Sequence, residues 1–379
     1  MEGKHTHLLK VKAHSGIEGN EEADVGANAV ANEEVMPDAQ CTADNQPYSS
    51  IWWIQRAEGD LHAPDLNRGL ISMLPTDAHG GYSNHTEATK MWATAAEELC
   101  PKASNATLQS SRGPHRHWKR AFDYRYWQLW HRGLAARYKK APSNTRTDKE
   151  GRALCPICHA CPDSGGHILG GCAHPSLKAC YIKRHNEAVQ LVSDALQKGQ
   201  HGGCYMVADA TSAADAPDYT DGTRLPRWLL PRVPDAVRKK LRPDILVIPT
   251  LPLRHVDGRV RTSAPPNRRE HTIHILELGY VGDLRHDEKA AEKATQHEQL
   301  AELLTAEGWK VAYTKDHAIT VGYSGTIRRQ LAPLLRGIGL SHEQATRCCI
   351  NLHHHSVAWL NKIVALRRLL ENDSSQTTG

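Results

Sequence analysis

The stretch that decides the fold is residues 242–248, which read RPDILVI, together with residues 273–279, which read IHILELG. Both runs are short and apolar, which is typical of buried strands. Each run carries one acid: Asp244 opens the first strand, and Glu277 lies near the end of the second. A carboxylate on an apolar strand is costly to bury unless it meets a cation or solvent. The two acids therefore predict a cation-binding site where the strands meet.

Two converging carboxylates supply the oxygen ligands that Mg²⁺ and Mn²⁺ prefer. On the second strand, Ile273, Ile275 and Glu277 should share one face because side chains alternate along a strand. The pattern predicts that Asp244 and Glu277 hold a catalytic Mg²⁺ or Mn²⁺. Glu187, on a helix predicted upstream of the strands, is a candidate for an additional metal ligand.

A helix predicted over residues 284–306 follows the second strand. Five of its residues recur at helical spacing and form a stripe that should face the sheet: Ala290, Lys293, His297, Leu300 and Leu304. We interpret Lys293 as the catalytic lysine, which orients water or neutralises developing charge, with Lys289 as the alternative. His297 is expected to support the lysine or a phosphate. An inactive domain with a Lys293–Glu277 salt bridge would have the same sequence pattern.

The length, composition and net charge of the chain limit which class of protein it can belong to. The chain has 379 residues, 40% of them hydrophobic, and a net charge of +5. This length allows for two or three domains. The mean hydropathy is −0.56, and no apolar run approaches the roughly 20 residues of a membrane span, so no membrane partner is expected. No signal peptide is visible, and the ten cysteines are interpreted as thiols or metal ligands rather than disulfides.

A compact group of cysteines and one histidine lies upstream of the strands. It has the spacing C-x2-C-x8-H-x4-C and consists of Cys155, Cys158, His167 and Cys172. Such a group can close a tetrahedral structural zinc site, and neighbouring glycines permit the sharp turns it needs. A closed site folds a loop rather than catalyses. The alternatives are free thiols, or a different register with the rival ligands His159, Cys161 and His174.

Residues 112–140 are strongly basic, with nine Lys or Arg residues, one acid and several interleaved aromatic residues. We expect a helix with one stripe packed inward, formed by Trp118, Phe122, Tyr126, Leu129, Gly133 and Ala136. The basic residues are expected to contact nucleic-acid phosphates. The candidates, including two from later segments, are Arg116, Lys119, Arg120, Arg125, Arg184 and Arg242. The alternative is a helix whose aromatic residues are all core and whose charges are merely solvated.

The N-terminal segment, residues 7–32, predicts a strand, a glycine-containing loop and a helix. Its pieces VKAH, GNE and AD resemble the last strand and helix of type 1 ribonuclease H. In that family the matching histidine and aspartate, here His14 and Asp24, assist the reaction and bind metal. The family's other acids lie upstream, so ribonuclease H activity is not expected. We interpret this segment as the end of a longer polyprotein, with Met1 an internal or misassigned start, and an ordinary strand–loop–helix as the alternative.

A second resemblance rests on the order of three motifs: the zinc knuckle, then RHN at residues 184–186, then RPD at residues 242–244. This order, over about residues 118–325, looks like the C-terminal part of non-LTR retrotransposons that carry a restriction-enzyme-like endonuclease. The resemblance implies a metal-dependent enzyme that nicks a DNA target in the nucleus, with retrotransposon RNA as a possible further partner. In that family a lysine follows the second acid by two residues, where this chain has Gly279; family members often move it to the following helix. The alternative is a catalytically inactive nucleic-acid-binding relic.

The predicted architecture is mixed α/β. It consists of a restriction-endonuclease-like core with a small zinc knuckle and a helical connector, preceded by a truncated ribonuclease H-like strand and helix. The predicted boundaries are 1–32 for the ribonuclease H remnant, 33–110 for the connector, 111–150 for the basic aromatic helix, 151–180 for the zinc knuckle, 181–340 for the endonuclease and 341–379 for the C-terminal helix. Oligomeric state is not indicated by the sequence.

Overall fold

The computed structural model describes residues 54–56, 59–61, 97–109, 120–121, 123–125, 129–137, 139–199, 204–208, 225–252 and 261–376. The chain divides into two compact units, Met1–Met73 and Leu74–Gly379. In the first unit, β1 (Ile54–Arg56) and β2 (Gly59–Leu61) form an antiparallel pair. The predicted ribonuclease H-like segment, with His14 and Asp24, lies outside the described residues.

The second unit is mixed α/β and is built on a mixed sheet of five strands. These are β3 (Cys204–Ala208), β4 (Ile245–Pro252), β5 (Thr272–Val281), β6 (Lys310–Ala312) and β7 (Ala318–Gly322). β3, β4 and β5 are antiparallel neighbours in that order. β6 and β7 both run parallel to β5, and they pair with its first and last residues respectively. β5 is therefore the strand around which the sheet is assembled.

Helices cover both faces of this sheet. The described helices are α1 (Pro101–Ser104), α2 (Ala106–Gln109), α3 (Arg132–Arg137), α4 (Pro175–Gln197), α5 (Asp235–Arg238), α6 (His286–Gln296), α7 (Glu298–Ala306), α8 (Leu331–Ile338) and α9 (His342–Gln376). A search of the described helices found none with both the length and the apolar character of a membrane span.

The two faces of the sheet explain why its central strands are continuous apolar runs. Ile245 and Val247 of β4 pack into a core with α4, α8 and α9. Leu246 and Ile248 point the other way and pack into a second core with α7. A strand that is covered on both faces needs apolar side chains at every position, which is the pattern that predicted β4 and β5.

The structure extends and corrects the predicted elements. The two predicted strands are confirmed, but β4 continues beyond Ile248 to Pro252. β3 was not predicted. The helix expected over residues 284–306 is two helices that meet at His297. The Tyr313 hydroxyl supports this junction, because it donates to the Lys293 carbonyl and accepts from the His297 amide.

The basic segment differs from the single helix that was expected. Residues 120–121 and 123–125 are helical, residues 129–131 are not, and α3 begins at Arg132. The new start is capped, because the Asp163 carboxylate accepts from the Arg132 amide at 2.7 Å, and such caps satisfy otherwise unpaired N–H groups. Ala136, expected in the inward stripe, is consequently exposed, while Leu134 is buried. Trp118, Phe122 and Tyr126 lie outside the described residues.

Candidate active site and metal-binding cluster

The predicted grouping of cysteines and histidine is confirmed. Cys155, Cys158, His167 and Cys172 each offer a ligand atom, and these atoms all lie within 4.8 Å of one another. The Sγ atoms of Cys155 and Cys172 are 4.0 Å apart, and the Cys158 Sγ is 3.3 Å from the His167 Nε2. Zinc–sulfur bonds of about 2.3 Å in a tetrahedron place neighbouring sulfurs about 3.8 Å apart. The cluster can therefore hold a metal such as zinc.

Local structure explains this convergence. Cys155 and Cys158 lie on a tight turn that the His159 amide closes by donating to the Cys155 carbonyl. A π-helical turn, His167–Gly171, then carries the histidine, and α4 begins shortly after Cys172. The rival ligands are outside the group: Cys161 and His159 are exposed. Among the described residues, no other set of three or more His, Cys, Asp or Glu ligands converges in this way.

The cluster is buried against the end of α9, where Arg367 is 3% exposed. Its guanidinium donates to the Cys155 Sγ at 3.3 Å and to both oxygens of Asp163 at 3.1 and 2.9 Å. Burial raises the pKa of the Cys172 thiol to about 12, because a thiolate loses hydration in the interior. A bound dication offsets that cost, since metal binding displaces the thiol protons.

The two acids predicted on the first two strands converge where β4 pairs with β5. Asp244 directly precedes β4, and its Oδ2 accepts from the Leu278 amide of β5 at 2.7 Å. The Asp244 amide in turn donates to the Glu277 Oε1 at 3.1 Å. Glu277 lies within β5 rather than near its end, and it is 1% exposed. Backbone contacts between neighbouring strands thus set the separation of the two carboxylates.

Lys293 of α6 completes this arrangement. Its Nζ lies 3.2 Å from the Glu277 Oε2 and 3.7 Å from the Asp244 Oδ2. His297 Nε2 is 3.0 Å from the Glu277 Oε1, but in an orientation outside hydrogen-bond geometry. The predicted inward stripe is confirmed, because Ala290, Lys293, His297, Leu300 and Leu304 are all buried.

The lysine alternatives differ in their surroundings. Lys289 pairs with the exposed Glu292 on the same helix, whereas Lys293 contacts both buried acids. A Cβ at Gly279 would lie 3.3 Å from the Lys289 Cε and 3.5 Å from the Lys293 Cε. The space that a side chain at position 279 would need is thus occupied by lysine stems from α6.

His185 was quoted in the RHN motif but given no site role, and the structure places it at this centre. Its Nε2 lies 3.2 Å from the Asp244 Oδ2, and it approaches from α4, on the opposite face from α6. Burial by itself would raise the pKa of Asp244, but the hydrogen bond and charge of His185, with the charge of Lys293, hold that pKa below its usual value. Burial would lower the pKa of His185, yet its contact with Asp244 raises it.

Glu187 is placed differently from the expectation that it helps to bind the catalytic metal. Its Oε2 accepts from the Trp359 indole N–H at 2.7 Å and lies 3.3 Å from the His355 Nε2. Residues two apart on a helix point about 200° apart, so Glu187 faces α9 while His185 faces Asp244. The Glu187 side chain therefore links α4 to α9.

Two arginines that were expected to contact nucleic acid instead make contacts within the fold. Arg125 donates to the Ser104 carbonyl, the Asn105 Oδ1 and the Ser324 Oγ, so it ties elements of the fold together. Arg184 is 3% exposed, and its guanidinium lies 4.0 Å from the centre of the Tyr280 ring. Both were expected to contact nucleic acid, but a positive charge in the sequence does not reveal whether the side chain is exposed.

Two of the remaining candidates, Arg120 and Arg242, lie among the described residues. Arg120 donates to the Asn361 carbonyl at 3.1 Å, and Arg242 is exposed two residues before Asp244. Arg116 and Lys119 lie outside the described residues. Of the original group, Arg242 is therefore the described basic side chain best placed to meet a ligand at the acids.

An open cleft of about 560 Å³ lies beside the metal-binding cluster. It is lined by residues 170–173, which we call the zinc loop, and by residues of α4, including Lys178, Ile182 and His185. One lining residue, Cys172, belongs to the cluster, and another, His185, contacts Asp244.

Comparison with models of known protein families gave no match. A comparison with curated proteins also gave no match. The function is therefore inferred from the chemistry of the two sites.

Proposed function

We propose that this protein is a metal-dependent DNA endonuclease with a restriction-enzyme-like core, derived from a non-LTR retrotransposon. The observation that carries the proposal is the convergence of Asp244, Glu277 and Lys293, with the lysine Nζ 3.2 Å from one acid and 3.7 Å from the other. Two acids on neighbouring segments of a mixed sheet and a lysine on the adjacent helix are the parts that phosphodiester hydrolysis by such an enzyme requires.

Asp244 and Glu277 would hold Mg²⁺ or Mn²⁺, whose other ligands are water and phosphate oxygens, as is usual for Mg²⁺. When bound, the metal supplies charge stabilisation and a more acidic water. The acids fit this role because each presents an oxygen toward a shared cation, the Lys293 ammonium. Lys293 then neutralises charge that develops on the phosphate. His185 holds the pKa of the Asp244 carboxyl below its usual value through its hydrogen bond and charge, while His297 lies beside Glu277.

The proposed substrate is DNA, with retrotransposon RNA as a further ligand and the nucleus as the place of action. The net charge of +5 and the exposed Arg242 beside the acids favour a polyanionic ligand. The metal-binding cluster would fold the surface that grips it, with zinc as a structural ion.

A second candidate is an inactive nucleic-acid-binding relic. The favouring observation is that protein cations already pair with both acids, since Lys293 contacts each of them and His185 contacts Asp244. Such a self-satisfied ion-pair network stabilises a domain whether or not it binds metal.

Nicking of supercoiled plasmid in Mg²⁺ separates the two candidates. The wild type should convert plasmid to open circles, and Glu277→Gln should reduce the rate about 10³-fold, because loss of metal-based charge stabilisation costs several kcal/mol. Glu298→Gln is the matched control, since Glu298 is an exposed glutamate on α7. If the wild type leaves the plasmid as intact as Glu277→Gln does, the nuclease proposal is rejected in favour of the relic.

A further inference from the structure

The cleft between the zinc loop and α4 has no part in the hydrolytic chemistry proposed above. It is lined on one side by Gly170, Gly171 and Cys172, and on the other by Lys178, Ile182 and other residues of α4. Because the zinc-loop wall is formed largely by glycines, its surface is mostly backbone. The cleft therefore presents a backbone wall opposite a side-chain wall.

The α4 wall combines the two features that bind a nucleic-acid strand. Lys178 is exposed and supplies a cation for a phosphate. Ile182 is 55% exposed, which makes it one of the few large apolar side chains that the described structure leaves open to solvent. Tyr181 also lines the cleft, and its hydroxyl donates to the Ile168 carbonyl at 2.6 Å. A cation beside apolar surface suits a sugar–phosphate unit with its base.

The size and position of the cleft restrict which classes of ligand it can bind. A volume of about 560 Å³ is typical of sites for small ligands, which occupy about 300–1,000 Å³, and it is too small for a duplex. At its far end His185 lines the cleft and also contacts the Asp244 Oδ2 at 3.2 Å. A ligand in the cleft would thus contact His185, which in turn contacts one of the candidate catalytic acids, Asp244.

We propose that this cleft binds an unpaired nucleotide of the DNA strand adjacent to the catalytic centre, with Lys178 on the phosphate and Ile182 against the base or sugar. This inference rests on the proposed function, since it assigns the path of the same substrate. The zinc loop then has a direct role in substrate binding, because residues 170–173 form one wall of the site.

Binding of fluorescein-labelled single-stranded DNA to the full chain, in Ca²⁺ to prevent cleavage, tests the role of Lys178. Lys178→Ala should weaken binding about fivefold and lower the slope of log Kd against log salt by about 1, as expected for one lost phosphate contact. The matched control is Lys183→Ala. Lys183 is also exposed on α4 but is five residues further on, about 140° around the helix, and does not line the cleft.

Photo-crosslinking provides a readout independent of charge. A benzophenone amino acid at position 182 should crosslink single-stranded DNA at least fivefold more than the same group at position 183, and more than it crosslinks blunt duplex. Equal crosslinking from both positions, or equal binding losses for the two lysine variants, overturns the cleft assignment.

The plasmid nicking assay distinguishes failure of the cleft from failure of the nuclease. If the wild type nicks but Lys178 and Lys183 variants bind alike, the cleft assignment falls and the nuclease stands. If position 182 crosslinks selectively but the wild type does not nick, the nuclease proposal falls, and the cleft remains the binding site of a non-catalytic protein.

Discussion

The Cys155–Cys172 cluster and the Asp244–Glu277 centre both gather ionisable side chains in the interior, but they balance charge differently. The cluster combines three thiols and one imidazole, and a cationic side chain, Arg367, donates both to Cys155 and to Asp163. The acidic centre has its own cations, since Lys293 contacts both carboxylates and His185 contacts Asp244.

This difference shows how much each site depends on a metal. Thiolates of the buried Cys155 and Cys172 and the half-buried Cys158 would be strongly unfavourable without a dication, so a metal favours the deprotonated cluster. At the acidic centre Lys293 already contacts both carboxylates, so their pairing does not require a metal. The first site is therefore suited to a structural metal such as zinc, whereas the second has protein cations as partners.

The largest expected effect is loss of a cluster ligand. Cys172→Ser should lower the zinc content of the purified protein from about one per chain to near zero and unfold the knuckle, because binding of structural zinc contributes on the order of 10 kcal/mol to folding. Metal analysis and thermal unfolding measure both consequences. Cys161→Ser is the control, since Cys161 is an exposed cysteine in the same loop. Equal zinc content in the two variants would show that Cys172 is not a ligand.

The next effect tests how α9 supports the cluster. Arg367→Met should cost about 4 kcal/mol of unfolding free energy, because it leaves the buried Asp163 carboxylate without its guanidinium partner. Zinc should also transfer to a chelator at least about tenfold faster, as expected when a group that contacts a metal ligand is removed. Arg368→Met is the control at an exposed neighbouring position. Unchanged transfer would show that Arg367 stabilises the fold without supporting the metal.

The third effect is the loss of the Lys293 ammonium from the acidic centre, which added metal should partly offset. Lys293→Met should cost about 3 kcal/mol in metal-free buffer, since it leaves two buried carboxylates without their shared ammonium. Millimolar Mg²⁺ should then stabilise Lys293→Met more than it stabilises the wild type, because the metal takes over the role of the ammonium. Urea titrations with and without Mg²⁺ measure this, with Lys289→Met as the control. A loss that Mg²⁺ does not reduce would count against a metal at these acids.

The smallest effect is the pH dependence of the His185–Asp244 pair. Because the folded-state pKa of His185 is raised, its contribution to stability is complete below the unfolded pKa of about 6.5 and is lost as pH rises through the folded value. Asp244 has a lowered pKa and stays ionised throughout this range. His185→Gln should therefore cost about 1 kcal/mol near pH 6 and less near pH 9.

Urea denaturation at the two pH values measures this change. His342→Gln is the control, since His342 is exposed at the start of α9. A cost for His185→Gln that is the same at both pH values would show that the contact does not depend on the charge of His185.

Sequence patterns were sufficient where the interactions are local or periodic. β4 and β5 were predicted because strands covered on both faces are continuous apolar runs. The inward stripe of α6 and α7 follows from helical spacing, although the break at His297 does not, since it depends on the Tyr313 hydroxyl. The cluster ligands lie within 18 consecutive residues, Cys155 to Cys172, so their spacing already restricts their geometry.

Contacts between distant segments were not predictable in this way. His185 meets Asp244 across 59 residues, and its only signal was membership of the RHN motif. Arg184 and Arg125 were expected to contact nucleic acid, yet the first packs against Tyr280 and the second donates hydrogen bonds to both Ser104 and Ser324. Glu187 was expected near the acids but faces Trp359 of α9.

The sequence by itself determined the apolar strands with their two acids, the spacing of the metal-binding cluster and the face of α6 that carries Lys293. These features depend on the alternation of a strand, the periodicity of a helix or the short reach of a loop. Tertiary structure alone decided which charges are buried, which acid each cation meets, and that one cleft is lined both by Cys172 of the cluster and by His185, which contacts Asp244. Those outcomes depend on how α4, α9 and the sheet pack together, and no local pattern in the chain encodes the packing of segments so far apart.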